Sequence, residues 1–459
     1  MTPAARSVLS SLAGPLITAV AFATTPVLAA DNPWSPATPM TQPHQAATAT
    51  LLPNGKVLEV GSFAQPNSGA EAFDPNADSW SPTGPMLVTR ALATATLLKS
   101  GKVLIVGGIA ADTGHSTTRT ELYDPITNAW SLGPQLAVPR SSHTATLLPS
   151  GKVLVAGGQN AGGYLASAEL YDPISGSWTT VSRMDAGYTS STATLLANGK
   201  VLIAGGATLG DGRAELYDPA TNQWSSAGRQ GRVAQTATRL ANGRVLVTGQ
   251  GAAAALYDPG SNTWSDAGTM LQDRVDPSAT LLADGRVLVV GGTTTASGQQ
   301  LWLSSAETYD PASNRWSPAG CMSQARWEQT ATLLPTNRVL IAGGDAPSVT
   351  LSSAELFDPS RASGSEAIDS CPTNPPTQSG AAAPSAGSSA VAAPSTVSTA
   401  GVTHASAVAI GQPAPLKSIA SDRSLTLLQP MEAAGLTALI LAALSAAFYL
   451  WARWRKRRI

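Results

Sequence analysis

SGKVLVAGGQNAGGYLASAELYDPISGSW, residues 150–178, decides the fold. Residues 152–156 form a short apolar run beside glycines, which reads as a strand buried on both faces. Gly157-Gly158 ends the run, where the backbone needs a positive φ or a close neighbour. A second strand follows over residues 168–171. Asp172-Pro173 breaks it, because proline presets φ and aspartate can accept from the following backbone. Trp178 then opens a third strand.

The same unit recurs along the chain. Thr-Ala-Thr-Leu-Leu or a near copy starts at Thr48, Thr94, Thr144, Thr192, Thr236, Ser278 and Thr330, a mean spacing of 47 residues. Each copy continues with Gly-Lys/Arg-Val-Leu (Asn337 replaces the glycine in the last), a glycine pair, and an aromatic followed by Asp-Pro. The pair is degraded to Gly61-Ser62 and Gly249-Gln250 in two copies. The aromatics are Phe73, Tyr123, Tyr171, Tyr217, Tyr257, Tyr309 and Phe357. In six copies a tryptophan stands seven residues further on: Trp80, Trp130, Trp178, Trp224, Trp264 and Trp316. The seventh copy has Gly364 there, while Trp34 lies in phase ahead of the first copy. A circle explains both facts: a strand at Trp34 completes the last sheet and removes an open edge.

Four short strands per repeat, seven repeats and a period near 47 predict an all-β, seven-bladed β-propeller. The glycine pair, the aromatic–tryptophan spacing and the repeat length resemble the kelch motif. The resemblance covers residues 34–359 and implies the four-stranded kelch blade, similar to the central domain of galactose oxidase.

The flanks differ from the array. Residues 1–30 read as a secretory leader: Arg6, an apolar stretch over 12–23 and a small-residue cleavage site near Ala29. The propeller is expected over 31–371, an Ala/Ser/Pro-rich linker over 372–431, a transmembrane helix over 432–452 and a basic cytoplasmic tail over 453–459. This predicts an exported single-pass protein with its propeller in the periplasm or outside the cell. A sorting signal cut at that helix is the alternative, to which 429–432 is a poor match. Of 28 basic residues, six (Arg6, Arg453, Arg455, Lys456, Arg457, Arg458) lie in the termini, leaving 22 against 29 acidic ones. That balance argues against nucleic-acid binding.

With strands a to d in order, the b–c and d–a connections share one face and the a–b and c–d turns the other. From the glycine pair to the aromatic the b–c gap runs 11, 15, 13, 11, 7, 17 and 13 residues, while the opposite face is constant. Variable loops on one face of a repeat scaffold display binding surfaces. Four residues before each Thr-Ala-Thr stand His44, Arg90, Arg140, Tyr188, Arg232, Arg274 and Arg326. Arginines at the channel mouth would attract carboxylate or phosphate ligands; a repeated position equally suits a role inside the blade, such as bonding a loop carbonyl. Trp302 and Trp327 belong to no repeat and fall on the variable face, where they could stack on sugars, anchor a protein or pack a loop. Tyr164, Tyr188, His115 and His143 complete the candidates there. The strand-b cations (such as Lys152) and the strand-c glutamates are expected to serve the blades, the cations by pairing with the Asp of Asp-Pro. Cys321 and Cys371 are the two cysteines; a bridge between them would fasten the C-terminal segment in an oxidising compartment.

No catalytic residues, metal ligands or cofactor are predicted: there is no serine elbow, metal cluster or phosphate loop. Copper oxidation like that of galactose oxidase would need clustered histidine and tyrosine ligands, and the four histidines here are dispersed. The expectation is a membrane-anchored propeller binding a ligand, protein or glycan through its b–c/d–a face. The alternatives are a carbohydrate-active enzyme, oxidase-like or similar to sialic-acid epimerases, and a structural envelope protein.

Overall fold

The computed structural model describes residues 32–373 apart from 63–68, 207–211, 232–233, 297 and 363–367. The expected leader, membrane helix and tail lie outside the described residues, as does all but the start of the expected linker. Among the described residues no helix is long and apolar enough to cross a membrane.

Seven four-stranded antiparallel sheets make up the fold. In blade 3 the strands are Thr144–Leu147, Val153–Ala156, Ala168–Asp172 and Ser177–Thr180, within a residue of the sequence reading. The innermost strands touch neighbour to neighbour round the ring, including blade 7 against blade 1. Closure is as expected. Trp34–Ala37 is the outer strand of blade 7, pairing with Ala354–Phe357 so that Trp34 faces Phe357.

Strand b is apolar because it is covered on both faces; Val153, Leu154, Val155 and Ala156 are all buried. Packing runs between blades: Leu58, Val60 and Ala70 of blade 1 meet Val103, Ile105 and Tyr123 of blade 2. Each such aliphatic side chain contributes about 1.5–3 kcal/mol on burial. In every blade the aromatic lies against the tryptophan, Trp34 and Phe357 included, with ring centroids 4.9 to 5.1 Å apart. The indole N–H reaches back to the preceding blade. Trp34 donates to the Ala319 carbonyl at 2.8 Å, and Trp80 to that of Thr38 at 2.9 Å.

The variable loops are not all irregular. In blade 3 Gln159–Asn160 pairs with Gly163–Tyr164, and in blade 6 Thr293–Ala296 pairs with Gln299–Trp302. Cys321 and Cys371 are bridged, joining the outer strand of blade 6 to the segment that follows blade 7.

Candidate functional site: the rim of the b–c and d–a face

The arginines do not form a ring open to solvent. Arg90, Arg140, Arg274 and Arg326 are 0% exposed, each turned into its own blade. Arg140 donates through Nη2 to Glu169 at 3.0 Å and through Nη1 to the Gly157 carbonyl at 2.7 Å. Arg274 repeats this with Glu307 and Gly291, and Arg326 with Glu355 and Gly343. Arg90 does so with Glu121 and Gly107. Burial pulls all four guanidinium groups below their ordinary value, and the facing glutamates push them back up. Arg232 lies outside the described residues. The reading of these arginines as anion ligands therefore gives way to the blade-internal one, because a buried cation needs a buried partner.

The glutamates do a second job. Glu169 also accepts the backbone N–H groups of Ala137 and Val138, and Glu307 those of Leu271 and Gln272. Each carboxylate thus pins the d–a connection that carries its own arginine.

The glycine pair belongs to the same joint. The second glycine's N–H donates to the carbonyl of the next blade's arginine-position residue: Gly108 to Arg140 at 2.9 Å and Gly292 to Arg326 at 2.9 Å. A Cβ on Gly107 would stand 2.4 Å from the Arg140 carbonyl oxygen. Arginine, glutamate and glycines form one connector per blade, facing inward for charge and sideways for the ring.

Three blades depart from the pattern. In blade 4 buried Tyr188 stands for arginine, with its hydroxyl on Glu215, whose carboxyl burial holds above its ordinary value. In blade 5 Ala255 occupies the glutamate register opposite Val247. In blade 1 His44 replaces arginine, its Nε2 lying 3.4 Å from Glu71.

The rim itself is set two residues further along each d–a connection. Ala46, Leu92, Ser142, Ser190, Asp276 and Glu328 all have left-handed backbone, with φ between 49° and 54°. Non-glycine residues adopt this conformation at a cost. Around blades 1 to 4 a backbone belt offsets it: Leu92 N–H donates to Ala46 at 3.1 Å, Ser142 to Leu92 at 3.1 Å and Ser190 to Ser142 at 2.9 Å. Between blades 5 and 6 the link is a side chain. Gln235 donates through Nε2 to Asp276 at 2.7 Å and accepts the Asp276 N–H at 3.0 Å.

Blades 6 and 7 place acids at this rim, which sequence reasoning missed although two adjacent copies carry them in one register. Glu328 is pushed up to about 7 by burial first, then by the charges of Asp345 and Asp276, against a hydrogen bond from Gln45. Asp276 and Asp345 are also raised, mainly by burial. Among the described residues no ion pair reaches any of the three.

Trp327 and Trp302 border this sector. Trp327 bridges Asp345 through paired backbone bonds of 3.1 and 2.9 Å. Trp302 ends the blade 6 hairpin opposite Thr293, which bridges Val275, the residue before Asp276. Both are half-buried. No ring contact joins them among the described residues. Tyr164 and His115 are exposed elsewhere on the face, whereas His143 is buried. Burial holds His143 down at about 3, so it stays neutral beside the Thr94 hydroxyl, 3.0 Å away.

Two stretches, residues 139–185 and 277–323, match the Kelch motif family. The chain is a kelch-repeat propeller. No curated protein matches the kelch chain in sequence. Among solved structures it is similar to a fungal alcohol oxidase of the AA5 family in complex with copper, at 19% identity over 71% of this chain and 76% of that one, TM-score 0.58. It is also similar to YjhT, at 14% identity over 70% of this chain and 95% of that one, TM-score 0.47. At 19% identity the likeness to the oxidase is one of fold. Among the described residues no group of three His, Cys, Asp or Glu side chains is placed to hold a metal ion.

Proposed function

We propose that this kelch propeller is a membrane-tethered, exported binding protein whose ligand docks on the rim sector of blades 6, 7 and 1. The ligand class is a glycan or protein segment presenting ammonium and hydroxyl groups. One observation carries the reading: Asp276, Glu328 and Asp345 gather at the rim with no cation partner among the described residues, beside half-buried Trp327. Carboxylates without a counter-charge favour an incoming cation, and an indole face adds cation–π attraction. The sign is opposite to the one an open arginine ring would have had, so acidic sugars are disfavoured. Export and tethering rest on the leader at 1–30 and the uncharged, largely apolar run at 433–452.

Full-length protein in detergent, screened on an array of neutral, amino and acidic glycans and Lys-rich peptides, tests the reading. Binding should favour amine-bearing ligands, strengthen as pH rises through about 7 because Glu328 then ionises, and fall at least tenfold in Glu328→Gln. Preference for acidic glycans, or equal binding by the variant, would sink it.

A further inference from the structure

Beyond ligand binding, the joint between blades 7 and 1 differs from the others in its chemistry. This is where the two ends of the propeller meet, since blade 7 takes its outer strand from Trp34–Ala37. Blade 1 has Glu59 where the other strands b carry isoleucine or valine (Ile105, Val155, Ile203, Val247, Val289, Ile341). Glu59 is 0% exposed and stands in register between Ala49 and Glu71. Its oxygens accept from the Thr330 hydroxyl of blade 7 at 3.0 and 3.2 Å. On the same blade face His44 lies 3.4 Å from Glu71 through Nε2, with Nδ1 2.8 Å from the Gly61 carbonyl. Glu71 further accepts the N–H groups of Thr41 and Gln42. The charged groups acting on Glu59 are His44 and Glu71; blade 7 contributes the Thr330 hydroxyl.

The substitution is a coupled one. The sister blades hold a permanent cation against one carboxylate, which is neutral at every physiological pH. Blade 1 holds an imidazole against two carboxylates, which is neutral only while it keeps one proton more than the fully deprotonated pair of acids and charged histidine allows. We propose that the blade 7–blade 1 joint is a proton-dependent latch, in which His44, Glu59 and Glu71 hold the ring shut when protonated and loosen it when the proton is lost.

The directions agree. Burial, opposed by His44 and Thr330, raises Glu59 from 4.5 to about 7. Unfolded chain gives up that proton earlier, so stability falls as pH climbs from about 4.5 through about 7. His44 is raised although burial, the largest influence, opposes it; the Glu71 hydrogen bond and the Glu59 charge prevail. Its contribution is full below 6.5 and lost as pH rises through the folded value. Burial, the largest influence on Glu71, is outweighed by His44 and the backbone donors, which lower it, so its contribution is present above 4.5 and lost as pH falls through the folded value. The latch is therefore tightest in mildly acidic solution. Its effect reaches the rim, because the His44 carbonyl accepts the Gly344 N–H at 2.8 Å and the next residue, Gln45, bonds Glu328.

Hydrogen exchange of the full-length chain decides the matter, with the Gly108–Arg140 joint as internal control. From about pH 5.5 to about pH 8.5, protection at Gly344 and across 354–357, relative to Gly108, should fall tenfold or more. Glu59→Gln should shrink the fall, leaving the part that His44 carries against Glu71. The double variant His44→Arg with Glu59→Ile, which transplants the blade 2 chemistry, should abolish it, and decides alone if the single variant does not fold. A flat wild-type ratio, a fall of wild-type size in Glu59→Gln, or a fall that survives in the double variant would overturn the latch. The test is independent of ligand, so it can fail while the rim still binds.

Discussion

Blades 5 and 6 are neighbours with the same strand order, yet their connectors are opposites. Blade 6 holds Arg274 on Glu307 and on the Gly291 carbonyl, with its glycine pair hydrogen-bonded onward to blade 7. Blade 5 has Ala255 for the glutamate, Gly249-Gln250 for the glycine pair and the shortest b–c gap, seven residues. Its strands c and d are extended instead: Gly251–Asp258 and Thr263–Arg274, paired through two register shifts. Loss of the carboxylate and of the glycine pair in one blade teaches that these are parts of a single device. The longer ladder runs along the connection into blade 6, pairing Gly251 with Arg274 and Ala253 with Thr269, where Glu307 also accepts the Leu271 and Gln272 N–H groups.

The comparison breaks most sharply at the carboxylate. Glu307→Ala leaves Arg274 buried without a counter-charge and frees the N–H groups of Leu271 and Gln272. Removing one partner of such a pair costs about 3–5 kcal/mol. Denaturant unfolding should show that loss. Arg274→Met combined with Glu307→Leu should recover much of it, since an apolar pair leaves no stranded charge. A Glu307→Ala protein as stable as wild type would make the connector ornamental.

A smaller effect separates the glycines. A Cβ on Gly292 would stand 2.6 Å from the Val275 carbonyl oxygen, at φ 88°. Gly251 of blade 5 also has positive φ, 96°, but nothing lies within 4 Å of an added Cβ. Gly292→Ala should cost about 2–3 kcal/mol, from overpacking on top of the left-handed backbone. Gly251→Ala should cost about 1 kcal/mol, from the backbone alone. Thermal melts of the two variants side by side measure the difference; equal losses would mean that backbone conformation, not the close approach of the blade's own d–a connection, fixes this glycine.

Much of this was readable before any coordinates. The repeat phase placed Trp34 beside Phe357, because a missing tryptophan and a surplus one have one economical resolution. The cysteine pairing followed from there being only two. The arginines were the failure. Their register was right and their direction was open, since spacing does not tell whether a d–a side chain turns to solvent or into the blade. The signal was the repeated strand-c glutamate, an acid on the buried face that needed a cation. The rim acids and Glu59 were overlooked for the converse reason. They occupy positions that vary, or that are apolar elsewhere, so a search for repetition passes over them.

Repetition is a poor guide to energy, as the opposite face shows. Lys152 meets Asp172 at 3.1 Å, and the same pair recurs in blades 1, 2 and 4, with Arg244 on Asp258 in blade 5. Blade 6 breaks the series, Arg286 turning to Asp284 at 2.7 Å. In sequence this cation recurs as faithfully as the buried connector. The lysines are exposed, however, and water and salt screen the pairs. The aspartate's carboxyl is held below its ordinary value first by the Ile174 backbone N–H, and only second by Lys152. That order indicates what the aspartate is kept for: it closes the c–d turn, and the lysine attends. Lys152→Met should therefore leave the melting temperature within experimental error at high and low salt, whereas Asp172→Ala should lower it at both. A salt-dependent loss in Lys152→Met would show that the outer pairs, too, hold the blades.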